Sequence, residues 1–285
     1  MTTPRSLRKI TTNAVSEDEN SGLLSFGGHL EVLRKMLIRI VALIIALACV
    51  IFCFKDETFH LLLAPKSSDF CTFTLLERLL RSLGIPFSMG SYDVPLISTE
   101  LSSQFMNHIT VSCILALLLA SPYILCELFR FISPALYENE KRYSYIVAAI
   151  VYTLFLLGLL MSYFILFPIS FRFLATYQVD GSISSMITLD SYISTFAMLT
   201  FMMGVVFQLP VIVYILGKMG IIDSELMVKY RPYALVIIMV VAAIITPPDL
   251  FTLVLVTIPI YGLYEVGILV LRRQQRKHLI SDSKG

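Results

Sequence analysis

The chain has 285 residues, 57% hydrophobic and only 15% charged, with a formal net charge of +2. A water-soluble domain of that size could not hide so much apolar surface, and a β-barrel would show weaker, alternating runs. So small a net charge gives no reason to expect nucleic acid as a partner; what matters is where the charges sit.

Residues 1–25 are polar and lack an early apolar core, so no cleavable signal peptide is expected and the segment reads as a flexible cytoplasmic tail. Six apolar runs follow: Met36–Phe54, His108–Phe129, Tyr145–Phe167, Tyr192–Leu216, Tyr233–Thr246 and Thr252–Leu271. Most are long enough to cross a ~30 Å hydrocarbon core at ~1.5 Å per residue. The fold class expected is an all-α membrane protein with six transmembrane helices.

The connections alternate in character. Lys55–Asn107 is the longest; it predicts a short amphipathic helix around Phe73–Leu83, turns at Gly84, Pro86, Gly90 and Pro95, and a helical start near Ser98–Glu100. Pro168–Asp190 carries the turn signal Asp180-Gly181, and the last hairpin turns on Pro247-Pro248-Asp249. The fifth run is odd, with 14 residues from Tyr233 to Thr246, or ~21 Å as a helix. The sixth is also read as short, with Pro259 and Glu265 inside it, so a thinned bilayer is expected beside the last two helices. Residues 272–285 form a basic cytoplasmic tail suited to anionic lipid.

Seventeen Lys and Arg fall at the N-terminal flank, after the second and fourth runs and in the C-terminal tail, against five in the other loops. By the positive-inside rule both termini are expected in the cytoplasm.

Little in the chain suggests catalysis. There is no phosphate-binding glycine loop, and His29, His60, His108 and His278 are scattered. Of Cys49, Cys53, Cys71, Cys113 and Cys126, four lie in apolar runs and read as packing residues. No metal, no cofactor and no enzymatic activity are expected. The polar residues worth following are Glu31 and Arg34 before the first span, Glu138 and Glu140 after the second, Gln208 within the fourth, Asp249 at the last hairpin and Glu265 within the sixth. Polar groups at membrane depth are costly and need a partner or a task. On residue chemistry alone Glu140 reads as a surface partner of Lys141 or Arg142, and Asp249 as a helix cap or turn residue.

These residues fall into recognisable strings. Phe131-Ile-Ser-Pro134-Ala-Leu136-Tyr-x-x-Glu140-Lys-Arg142 resembles the first cytoplasmic loop of the TatC family, the large subunit of the twin-arginine protein translocase. His29-Leu30-x-x-Leu33-Arg34 resembles that family's N-terminal motif, Phe207-Gln208-Leu209-Pro210 its fourth-helix motif, and Thr246-Pro247-Pro248-Asp249 with Ile258-Pro259 and Tyr264-Glu265 its last hairpin. The resemblance covers about Phe26 to Leu271, a membrane domain of residues 26–271.

It implies a glove-shaped, concave six-helix bundle of the bacterial inner membrane. Such a protein binds twin-arginine signal peptides of folded substrates and works with small single-span partners of the TatA and TatB type in a homo- and hetero-oligomer, driven by the proton-motive force. By the same resemblance, Glu140 with Phe131, Pro134, Leu136, Glu31 and Arg34 would receive the signal peptide. Gln208, Thr246, Asp249 and Glu265 would meet partner helices. Three positions depart from the family: Val32 where it has Glu, one residue or ~100° of helix from Glu31; Gln208 where it often has Glu; and Leu253 where relatives can have Gln. A small-solute transporter would need internal repeats, which are not seen, and a pure assembly scaffold would tolerate loss of Glu140.

Overall fold

The computed structural model describes residues 7–82, 84, 94–132, 141–178, 180 and 186–282; for helical residues 7–29, 79, 129–132, 141–146 and 277–282 it describes the backbone alone. Helix α1 runs Leu7–Cys53, beginning inside the segment expected as a tail. A short α2 (Lys55–Leu63), a 3-10 turn (Ala64–Lys66) and α3 (Cys71–Ser82) follow, the last where an amphipathic helix was expected. Strand β1 (Leu96–Ile97) precedes α4 (Ser103–Ile132). The helical start expected near Ser98–Glu100 falls instead at Ser103, after a bend at Glu100 whose carbonyl accepts from Ser98 Oγ at 3.3 Å.

The third apolar run is helical in two pieces, α5 (Lys141–Met161) and α6 (Phe167–Thr176), joined by a π-turn over Ser162–Leu166. Pro168 is the cause: it has no N–H to return to Phe164 O, and the backbone widens just ahead of it. The hydroxyl of Thr72 on α3 donates to that same Phe164 carbonyl. Strand β2 (Ile187–Thr188) leads into α7 (Leu189–Val206), then α8 (Leu209–Lys218), α9 (Ser224–Lys229), α10 (Arg231–Ile245) and α11 (Leu250–Asp282).

Among the described residues five stretches are long and apolar enough to cross a membrane: Leu30–Cys53, Ser103–Leu128, Val147–Thr176, Leu189–Lys218 and Leu250–Arg276. Helix α10 has only 15 residues, ~22 Å, as its two flanking prolines dictate. The sixth helix corrects the expectation of a short one: α11 has 33 residues. Pro259 sits inside it without ending it, and Arg, Gln and Lys after Leu271, all good helix formers, carry the helix on.

One end of the bundle is closed by a cap of α2, α3 and the two strands. β1 pairs parallel with β2, Leu96 against Ile187 and Ile97 against Thr188. Tyr163 donates to Leu61 O at 2.7 Å and the buried Tyr192 to Leu62 O at 2.8 Å. Ser103 Oγ reaches Asp190 at 2.7 Å. Beneath the cap, Phe167 meets Tyr192 and Phe196 edge to face, each at 5.0 Å between centroids. With Leu166, Leu199, Met203, Val256 and Ile260 they form the largest apolar core.

The middle of the bundle is set by close approach of α5 and α7. A Cβ on Gly158 would fall 2.6 Å from Met203 O, and one on Gly204 would fall 2.7 Å from the Phe155 ring. Small residues let two backbones touch where there is no hydrophobic drive between helices. Ser162 Oγ to Thr200 Oγ1, at 3.2 Å, adds a polar contact along the same seam.

Candidate functional site

Of the residues expected to receive a signal peptide, Glu31, Arg34 and Phe131 lie at the end of the bundle opposite the cap. Phe131 falls in the final turn of α4, where the backbone is described. Pro134, Leu136 and Glu140 lie outside the described residues. Glu31 and Arg34 stand on exposed positions of α1, and Glu31 pairs with Lys35 one turn along at 2.7 Å. Val32, at the position that departs from the family pattern, is 57% exposed.

Gln208 occupies a break in the fourth span. Pro210 cannot donate to Val206 O, so α7 stops at Val206 and the chain re-enters a helix at Leu209, with Gln208 N bonding back only to Val205 O. The side chain turns to α5: its Nε2 donates to Val151 O at 3.1 Å, with Gly204 O at 3.5 Å. Its Oε1 is buried without a hydrogen-bond partner among the described residues. Gln208 therefore seals a seam within the chain with its Nε2.

Thr246, Asp249 and Glu265 do not form one cluster. Thr246, buried, returns its hydroxyl to Ala242 O at 2.9 Å. Asp249 caps α11: its Oδ1 accepts from Thr252 N at 2.6 Å, which satisfies one orphan N–H of the helix start. Both lie at the cap end, beside an apolar groove of about 720 Å³ walled by Phe173, Tyr177, Phe251 and Val254. Glu265 lies four turns further along α11 and pairs with Arg231 at the opposite end of α10, 2.6 Å away.

Arg231 was missed from sequence, where it was only one of the counted cations. The signal was present: Glu265 is a lone carboxylate in an apolar run, and Arg231 opens the short run packed against it. Among the described residues no group of three or more His, Cys, Asp or Glu is placed to hold a metal. The cysteines are free thiols, and Cys53 Sγ donates to Cys49 O at 3.3 Å as a packing residue does.

The geometry agrees with what the chain is similar to. A family model described as Sec-independent protein translocase protein (TatC) matches residues 28–259. The TatC protein of Escherichia coli strain K12 is 36% identical over 242 residues, 84% of this chain and 85% of that one. That of a Blattabacterium from Periplaneta americana is 32% identical over 251 residues, 87% of this chain and 94% of that one. A crystal structure of the twin-arginine translocase receptor TatC superposes with a TM-score of 0.67 at 32% identity, covering 86% of this chain and 98% of that one.

Proposed function

Since the chain belongs to the TatC family, and is thereby a twin-arginine translocase subunit of the bacterial inner membrane rather than an enzyme, we propose that it is the receptor for twin-arginine signal peptides. The likeness to a solved TatC receptor over nearly the whole of both chains is the observation that supports this reading most. On this reading all six apolar helices cross the membrane, both termini are cytoplasmic, and the bundle presents a concave face. The cap end then faces away from the cytoplasm, and the α1 start and the loop between α4 and α5 face the incoming peptide.

The guanidinium pair of the signal needs carboxylates at that face, and charge-assisted bonds of this kind contribute ~1.5–3 kcal/mol. Glu140 is the main receptor, with Phe131, Pro134 and Leu136 shaping its loop. Glu31, exposed and already holding a cation, exchanges Lys35 for a substrate arginine, with Arg34 beside it. Small single-span partners of the TatA and TatB type meet the chain near Gln208 and along the last hairpin at Thr246, Asp249 and Glu265. The short α10 calls for a thinner bilayer on that flank only. The proton-motive force drives export, and the assembly holds several copies of each subunit.

The test is photo-crosslinking of a twin-arginine signal peptide to the protein in membrane vesicles that contain the small partners. Crosslinks in wild type that disappear in Glu140→Ala, and weaken in Glu31→Ala, are expected. A wild-type protein that crosslinks no better to the twin-arginine peptide than to a twin-lysine one sinks the receptor reading.

A further inference from the structure

His108, in the second turn of α4, is only 8% exposed, and its Nε2 is buried without a hydrogen-bond partner among the described residues. Its ring stacks on Phe52 of α1 at 4.0 Å, 13° from parallel, and lies 5.8 Å from Phe59 of α2. An unpaired buried nitrogen costs stability, so its retention at a packed position asks for an occupant.

The residue lines a cavity of about 360 Å³ together with Lys55, Gln104, Phe59, Phe105 and Leu189. That volume lies within the ~300–1,000 Å³ of small-molecule sites. Lys55 opens α2 directly after α1 ends, and Gln104 stands one turn before His108 on the same face of α4. A cation, an amide and an imidazole thus open into one space. None of the six lining residues is a carboxylate; Asp56 and Glu57 belong to the first turn of α2 and do not line it. The site is built for an anion, not for a metal cation.

The remaining wall is apolar, and its place in the fold decides the source of the anion. Lys55 and Gln104 stand where the apolar runs of α1 and α4 end, the level of the hydrocarbon boundary. Phe105, at the cavity wall, is 57% exposed and packs edge-on to Phe52 at 6.4 Å. We propose that this cavity at the cap end binds the phosphate headgroup of an anionic phospholipid. Lys55 pairs with the phosphate, Gln104 and His108 Nε2 donate to its oxygens, and the acyl chains run down past Phe105 into the bilayer. A free phosphate would share the polar half of the site but leave the aromatic half without a ligand.

Native mass spectrometry of the intact purified protein in detergent tests this, with phosphatidylglycerol, phosphatidylcholine and inorganic phosphate as probes. Wild type is expected to retain phosphatidylglycerol over phosphatidylcholine, with roughly tenfold weaker retention in Lys55→Gln and in Gln104→Leu, both at exposed positions. His108→Phe keeps the stack on Phe52 and is expected to weaken retention too. Arg273→Gln, in the basic tail, is expected to leave the Lys55-dependent binding in place. Equal retention of the two lipids, or phosphatidylglycerol binding unchanged in Lys55→Gln and His108→Phe, overturns the proposal. Displacement of the lipid by inorganic phosphate at equal concentration overturns the lipid assignment.

Discussion

The amide of Gln208 crosses from the break between α7 and α8 to the Val151 carbonyl of α5, 3.1 Å away. Two spans that touch through glycine further along are thus tied by a single donor at the kink. A glutamate here cannot donate while ionised, and its charge would face the Val151 and Gly204 carbonyls. Gln208→Glu is therefore expected to destabilise by ~2 kcal/mol at neutral pH and to recover as pH falls, since the protonated acid donates again. Gln208→Leu loses the bond but also removes the orphaned Oε1, and should cost under ~1 kcal/mol. Thermal unfolding of the three proteins in detergent across pH 5–8 (about the accessible range for such assays) gives the ranking; a Gln208→Glu protein as stable as wild type at neutral pH would refute it.

Gly158 fixes how near α5 comes to α7. A methyl there would press on Met203 O, which is backbone and cannot swing aside. Gly158→Ala should lose ~1–3 kcal/mol, whereas Gly262→Ala, whose Cβ meets nothing within 4 Å, should be neutral or gain slightly from helix propensity. Denaturation in mixed detergent compares them directly.

The Arg231–Glu265 pair joins the start of α10 to the middle of α11, far from the turn that connects the two helices. Arg231→Gln and Glu265→Gln should each lower the melting temperature, and the double variant should lose less than the two losses added together. The coupling should shrink in high salt, because both side chains keep some contact with solvent. Strict additivity in the cycle would mean the pair contributes nothing.

At the cap, Tyr192 is 1% exposed and donates to Leu62 O. Tyr192→Phe keeps the ring among Phe167 and Phe171 but strands that carbonyl, for an expected loss of ~1–2 kcal/mol. Hydrogen exchange should rise most in α2 and at β1, not in α8 or α11.

Much of this architecture was legible in the residues, for physical reasons that differ along the chain. The apolar runs and the short α10 followed from hydropathy and from Pro232 and Pro247, because bilayer thickness and missing N–H groups act locally. The break at Gln208 was not expected, since the fourth run read as one uninterrupted span despite Pro210. The π-turn before Pro168 did not announce itself, since its freed carbonyl finds a hydroxyl 92 residues away in sequence at Thr72. The reach of α11 was underestimated because its apolar run ends at Leu271 while its helix propensity does not. Of the polar residues, Asp249 proved to be the cap that its position after two prolines implied. Glu265 was recognised as needing a partner, but pairing across 34 residues with Arg231 depends on the hairpin's packing and not on any spacing in the sequence.

The parallel pairing of Leu96 with Ile187 also bears on how the chain is made. Its strands come from loops separated by two complete spans, so the pairing cannot begin until α4, α5 and α6 have all been threaded and the second loop delivered to the same side. A contact of such long sequence separation closes late and slowly. A chain stalled after α6 thus leaves β1 with an unpaired edge, the part of a strand most open to mispairing.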